Sequence, residues 1–331
     1  VFTWIASTLL GGEKGSSLII TGQPRVGKTS LLLQLTNGSL GKVIRSHAPS
    51  LFLPIYLNVQ DLDVRQDGEL FSRLSQIITR TLRNRGIVVP APEIWPTNSQ
   101  GYRLFDQYLD EVENVLPEEG KLILILDEID HLRFLIEEGW VTYELLAYLR
   151  SLMQHRSRIA LVLGGTNRLA DEFWTLLYNA AETRELGPLT KSQTEQLIRE
   201  PPQPQLNFDD LVVERIWRLT GGHPYLTQLV CNRLLAEINA DDSHPNMIKQ
   251  THLNKIMEAL LKEDDGYLLA LWQNSSDHGK QVLAATASCV REAGLPVSTI
   301  DIARQLGLDQ DLDQGFLSES LEELNRRRLL L

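Results

Sequence analysis

The chain has 331 residues, 43% of them hydrophobic, enough for two or three domains that each bury a core. Lysine and arginine total 32 against 43 aspartates and glutamates, and the net charge of −11 argues against a broad electrostatic hold on nucleic acid or an anionic membrane. No stretch reaches the roughly 18 uninterrupted apolar residues of a membrane-spanning helix, and Cys231 and Cys289 sit in apolar, helix-like surroundings without metal or redox spacing, which reads as two buried free thiols in a reducing cytoplasm.

The opening Val1-Phe2-Thr3-Trp4-Ile5 lacks the basic start of a signal peptide. There is no initiator Met, and Arg326-Arg327-Arg328-Leu329-Leu330-Leu331 closes the chain while an element is still running, so the expectation is a fragment of a longer protein. The first strand, over 17–21, contains Leu18-Ile19-Ile20 and runs into Gly22-Gln23-Pro24-Arg25-Val26-Gly27-Lys28-Thr29, which fits G-x-x-x-x-G-K-[ST]. The helical run Ser30-Leu31-Leu32-Leu33-Gln34-Leu35 follows. An ordinary glycine turn is the alternative, but the strand before and the helix after make this a phosphate-binding loop. Gly22 and Gly27 let successive N–H groups converge on phosphate oxygens at the positive end of a helix. Lys28 adds a full charge toward the β- and γ-phosphates, and the Thr29 hydroxyl is placed to ligate Mg²⁺, a hard cation that keeps several waters. The nucleotide-contact set is Gly22, Gln23, Pro24, Arg25, Val26, Gly27, Lys28, Thr29 and Ser30.

Further strands are expected at 51–59, 122–126, 159–163 and, weakly, 184–189, alternating with amphipathic helices. Leu70, Phe71, Leu74, Ile77, Ile78 and Leu82 recur at helical spacing, as do Tyr102, Phe105, Leu109, Val112 and Leu116, and a third helix fits 141–154. Pro54 removes a ladder donor, which puts its strand at a sheet edge. Residues 86–101, rich in Pro, Asn, Ser and Gly, read as a surface loop. After Pro188 the strand signals stop. Helical runs at 191–199, 210–219, 225–238 and 252–263, broken by prolines at 201–204 and a polar turn at 240–246, form a small helical subdomain. Helices at 278–288, 298–306 and 315–328, with a turn at Gly307-Leu308, resemble a helix-turn-helix or winged helix. The domains are then 1–189, 190–265 and 266–331.

Leu122-Ile123-Leu124-Ile125-Leu126-Asp127-Glu128 is an apolar strand that delivers two carboxylates at its C-terminal end, where ligands bind in such sheets. A strand merely leaving the core is the alternative for a lone Asp. Read with the upstream loop, Asp127 holds Mg²⁺ through water and Glu128 is the general base for the attacking water. Asp130 and His131 follow closely and read as caps of the next turn. Lys28 and Asp127 lie 99 positions apart with one strand–helix unit between their strands. That spacing suits an α/β P-loop fold with a parallel sheet in the order 5-1-4-3-2, in which 159–163 intervenes between the two motifs. Thr166, Asn167 or Arg168 would then lie near the γ-phosphate as a sensor; a solvent-exposed or ion-paired arginine is the alternative for Arg168.

The chain resembles the AAA+-related STAND class of signal-transduction ATPases. The resemblance rests on GQPRVGKTS as Walker A, LILILDEID as an extended Walker B, LVLGGTNR as the sensor strand, and Thr220-Gly221-Gly222-His223-Pro224-Tyr225 as the lid motif. The last also looks like the Gly-Gly-His-Pro of archaeal-type and bacterial AAA-like ATPase domains, though alone it is a helix-breaking turn. The resemblance implies ATP or ADP with Mg²⁺ as cofactors, Lys28, Asp127, Glu128 and Arg168 as the catalytic set, and Pro224 with His223 near the adenine. The Gly-Arg-Glu segment expected before the first strand is missing. Arg184, just before the fifth strand, occupies roughly the place of an arginine finger reaching a neighbouring subunit. Exposed surface charge is the alternative for it and for Arg156 and Arg158.

The expected function is a slowly hydrolysing nucleotide switch, a homo-oligomer in its ATP state, with sensor or effector domains outside the fragment and a role in signalling, regulation or defence. One rival is an ORC-like DNA-loading ATPase acting through its winged helix. Arg326-Arg327-Arg328 favours it, and Asp309, Asp311, Asp313, Glu319, Glu322 and Glu323 oppose it. A second rival is a scaffold that keeps ADP as a structural ligand.

Overall fold

The computed structural model describes residues 2–11, 17–36, 38, 41, 52–89, 100–118, 120–166, 172–200, 207–240, 247–262, 266–293, 297–308, 314–326 and 329. The chain divides into two compact units, Val1–Gly187 and Pro188–Leu331.

The first unit runs α1 (Phe2–Gly11), β1 (Leu18–Gly22), α2 (Lys28–Thr36), β2 (Phe52–Asn58), α3 (Asp67–Arg83), α4 (Gln100–Val115), β3 (Lys121–Asp127), α5 (His131–Glu137), α6 (Glu144–His155), β4 (Ile159–Gly165), α7 (Thr175–Tyr178) and β5 (Glu182–Leu186). Its five parallel strands lie in the order β2-β3-β4-β1-β5, the expected 5-1-4-3-2 read from the other side. Pro54 stands in the edge strand, as its missing N–H requires. Apolar runs such as Leu122–Leu126 form central strands because both sheet faces are covered. Leu122, Leu124 and Leu126 face one hydrophobic cluster with α3 to α6, whereas Ile123 and Ile125 face a second with Ile5 and Leu9 of α1 and Leu31, Leu32 and Leu35 of α2. Each fully buried Leu or Ile contributes about 1.5–3 kcal/mol.

One element is additional to the expected ones, and two expectations need correction. Residues 2–11 form a helix whose Ile5 is wholly buried. The fifth strand lies at 182–186, two residues early, and Arg184 falls inside it; on this edge Glu182, Arg184 and Glu185 are exposed, so no apolar run marks it. Arg156 and Arg158 are not surface charge. Arg156 is 12% exposed and pairs with Asp106, Asp110 and Glu113, and Arg158 donates to the carbonyls of Glu113, Leu116, Pro117 and Gly120. Together they pin the C-terminal end of α4 to the start of β4.

The second unit runs α8 (Lys191–Arg199), β6 (Asn207–Phe208), α9 (Asp210–Thr220), α10 (Pro224–Asn239), β7 (Met247–Ile248), α11 (Gln250–Lys262), α12 (Tyr267–Gln273), α13 (Asp277–Ala293), α14 (Thr299–Leu306) and α15 (Gln314–Arg326). One cluster unites α8 to α11 around Val212, Ile216, Leu234 and Leu253, and another unites α13 to α15 around Val282, Ile302 and Leu324. Strand signals do not stop at Pro188, because β6 and β7 pair in parallel, two residues each, too short for any period to register. Thr190 and Gln193 cap α8 reciprocally, as Ser298 and Asp301 cap α14, and Gly307 ends α14 in the left-handed conformation. No strand follows β7 among the described residues. Of the expected loop 86–101, residues 90–99 lie outside the described residues and Gln100 and Gly101 already belong to α4; the prolines 201–204, residues 241–246 of the expected turn 240–246, Asp309, Asp311, Asp313, Arg327 and Arg328 also lie outside them. Cys289 is buried and Cys231 half-buried, both are free thiols, and burial pushes the Cys231 thiol up to about 12.

Candidate functional site

The site lies at the carboxyl ends of β1 and β3. Gly22 ends β1, and a Cβ there would lie 2.7 Å from the Leu186 carbonyl and 2.9 Å from Val26 Cγ1, so only glycine fits. Arg25 (φ 62°) and Gly27 (φ 102°) turn the loop through the left-handed region. Lys28 then opens α2, whose N-terminal N–H groups and dipole favour an anion. Its side chain is 4% exposed, and Nζ donates to the carbonyls of Gly22 (3.1 Å) and Gln23 (2.9 Å). Burial lowers the Lys28 pKa, while Glu128, Asp127 and Asp130 pull it back up. Thr29 and Ser30 are exposed on the first turn of α2.

Asp127, at the end of β3, is wholly buried. Its Oδ1 accepts from the Glu128 N–H at 3.0 Å and its Oδ2 from the Tyr56 hydroxyl at 2.9 Å. Burial, then the negative charge of Asp127, keeps Tyr56 protonated and therefore a donor. Gly164 of β4 leaves the room this carboxylate uses: a Cβ there would come within 2.7 Å of Asp127 Oδ1 and 2.6 Å of Leu32 Cδ1. The shared face explains the meeting. Ile123, Ile125 and Asp127 alternate toward α2, and the parallel register of Tyr56 with Ile125 sets Tyr56 on the same side.

Glu128 leaves the strand at φ 52°, and among the described residues it and Arg25 are the two non-glycine residues with positive φ. Such conformations cost about 1–3 kcal/mol each and collect at functional sites. Burial raises the Glu128 carboxyl, Lys28 opposes that, and Asp127 and Asp130 add to it. Asp130 does not cap α5 with its side chain; its two oxygens accept from Thr166 N (2.6 Å) and Oγ1 (2.9 Å), which ties the end of β4 to the turn after β3. His131 stacks on Phe134.

The fold thus gathers Gly22 to Ser30 with Asp127 and Glu128, gives Asp130 and Gly164 of the quoted motifs definite partners there, and adds Tyr56, which none of the motifs contains. A buried ammonium bonded to two loop carbonyls and under the charge of Glu128, Asp127 and Asp130, beside a glycine loop at a helix N-terminus, fits a nucleotide phosphate chain. The oxygen donors Thr29 and Asp127 fit Mg²⁺, which takes one or two protein carboxylates and draws its other ligands from phosphate and water. Asn167 and Arg168 lie outside the described residues. Arg184 places its guanidinium 5.4 Å from the centre of the Trp4 ring.

His223 and Pro224 belong to the second unit. Gly221 ends α9 in the left-handed conformation, Gly222 (φ 73°) packs so close to the Leu189 carbonyl that a Cβ would collide with it, and Pro224 takes the first position of α10. His223 is 5% exposed, and its Nε2 lies 3.1 Å from the Tyr267 hydroxyl of α12.

The profile of a family described as an ATPase domain predominantly from Archaea matches residues 6–230. No curated protein matches the chain. Among solved structures, the Aeropyrum pernix ORC2 protein in ADPNP–ADP complexes is similar with a TM-score of 0.58 at 14% identity, over 99% of this chain and 85% of that one. Drosophila ORC bound to DNA gives 0.52 at 16%, over 100% and 79%. The Aeropyrum pernix ORC1 protein in complex with DNA gives 0.50 at 18%, over 99% and 82%. The likeness is one of fold: a five-stranded parallel sheet in this order followed by a helical region is the AAA+ arrangement.

Proposed function

The chain belongs to the family of ATPase domains found predominantly in Archaea, and from that membership we propose that it is a slowly hydrolysing, nucleotide-operated switch of the STAND kind. The observation that carries the reading is the buried ammonium of Lys28 under the charge of Glu128 and Asp127 at the carboxyl end of a parallel sheet. ATP is the substrate. The N–H groups of the 23–28 loop and the Lys28 charge hold its phosphates, and Thr29 and Asp127 are the donors for Mg²⁺. When bound, that ion supplies charge against the negative charge on the phosphate oxygens. Glu128 accepts the proton of the attacking water, and its raised affinity for a proton suits a base working near neutral pH. Thr166, held by Asp130, and Arg168 report the γ-phosphate. Residues 190–265 are read as the lid, with Pro224 and His223 as its residues for the adenine, and 266–331 as a winged-helix-like module.

In this reading ATP drives formation of a homo-oligomer and hydrolysis resets it. The protein works in the cytoplasm. Light scattering and phosphate release with ATP and with ADP test the switch. A larger particle with ATP, slow turnover, and neither in Lys28→Ala is the expected result; a wild-type chain that binds no ATP refutes it.

A second reading, a DNA-loading ATPase, draws support from the fold likeness to ORC proteins solved with DNA and from the helix trio α13 to α15. Glu319, Glu322 and Glu323 on α15 and the net charge of −11 oppose duplex phosphates. Salt-dependent binding to duplex DNA would reverse the order of the two readings.

A further inference from the structure

We propose that Tyr56 is a positioning residue for the metal-holding carboxylate: its phenol, donated from the edge strand β2, fixes the Asp127 carboxylate in the orientation that receives Mg²⁺. The proposal rests on the ATPase reading above and adds a residue that none of the phosphate-loop or acid motifs contains.

Tyr56 and Asp127 are unequally buried. Tyr56 is half-buried, so its hydroxyl does not need Asp127 in order to be hydrated, whereas Asp127 is wholly buried and depends on protein donors. Two donors are in place. The Glu128 N–H takes Oδ1 at 3.0 Å and the Tyr56 O–H takes Oδ2 at 2.9 Å. The first comes from the same loop as the carboxylate and follows that loop wherever it goes. The second comes from a neighbouring strand, so it alone references the carboxylate to the sheet. Gly164 and Leu32 close the other side, leaving the carboxylate a single slot between β2 and β4. The other phenols with described bonds serve different places: Tyr108 bonds Thr79 and the Ser75 carbonyl, Tyr102 bonds Thr142, Tyr148 reaches Asp106, and Tyr267 bonds His223.

Groups that orient a metal's carboxylate ligand change metal affinity or activity about 10–100-fold when removed. Tyr56→Phe keeps the ring and its packing and deletes only the donor. The test is equilibrium binding of a fluorescent ATP analogue to the whole chain, titrated with Mg²⁺ and compared with EDTA. The expected result is that Tyr56→Phe binds like wild type in EDTA, needs about tenfold more Mg²⁺ for the metal-dependent tightening, and has no further effect in an Asp127→Asn background. An unchanged Mg²⁺ midpoint, an equal loss in EDTA, or full additivity with Asp127→Asn overturns the proposal. A wild-type chain that binds no analogue in either condition overturns the ATPase reading itself, so the two failures are told apart.

Discussion

Two glycine turns, one in each unit, use the same backbone freedom for different ends. In the loop from Gly22 to Lys28, glycine brings the chain against Leu186 and frees N–H groups at a helix start, and a charged ammonium is buried among carbonyls under the charge of nearby acids. At Gly221-Gly222, glycine ends one helix and presses against the Leu189 backbone, which is also bonded through Leu189 N–H to the Gly222 carbonyl at 2.8 Å. Its neighbouring polar side chain, His223, is committed to Tyr267. The first turn therefore holds chemistry at a cost in stability, and the second supplies stability and directs the start of α10.

Substitutions should separate the two turns, beginning with the largest effect. Lys28→Ala should weaken ATP binding by at least about a hundredfold and also lower the melting temperature, since Asp127 and Glu128 lose a buried counter-charge; isothermal titration and calorimetry read both. Gly222→Ala should act chiefly on stability, lowering it by about 2–3 kcal/mol because φ 73° and the Leu189 carbonyl both oppose a side chain. Gly27→Ala, with nothing within 4 Å of the added carbon, should cost about 1 kcal/mol in denaturant unfolding and more in nucleotide affinity. A Gly222→Ala chain as stable as wild type would erase the contrast.

The pH dependence sharpens it further. In the proposed mechanism the carboxylate form of Glu128 is the working base, and burial raises its pKa, so turnover should fall as pH drops through a midpoint above the ordinary 4.5. For stability the sign is opposite: the folded chain holds this proton more tightly, so the Glu128 contribution is full below the unfolded value and lost as pH rises through the folded one. The smallest effect is expected from Tyr267→Phe, which removes one hydrogen bond to His223 and should cost about 1 kcal/mol in denaturant unfolding.

The phosphate loop and the Asp127-Glu128 pair were legible because their chemistry is local: residue type, spacing and flanking periodicity lie within one strand–turn–helix. The sheet order followed from Pro54 and from the single strand–helix unit between the motifs. The contacts of Tyr56 and Gly164 with Asp127 were invisible because they arise only through strand register, which no spacing along the chain encodes. Asp130 looked like a cap, as an acid before a helix does, yet Thr166 on another strand takes its carboxylate. Arg156 looked like surface charge because its three acidic partners lie more than forty positions upstream. The pairs β6 and β7 are shorter than one hydrophobic period.

The central claim, that the buried Lys28 and the strained Glu128 divide holding from hydrolysis, is tested most directly by Glu128→Gln. Equilibrium ATP binding and single-turnover hydrolysis should be measured on the same preparation. The account predicts affinity within about threefold of wild type and hydrolysis reduced by at least about a hundredfold. Hydrolysis at the wild-type rate would contradict it.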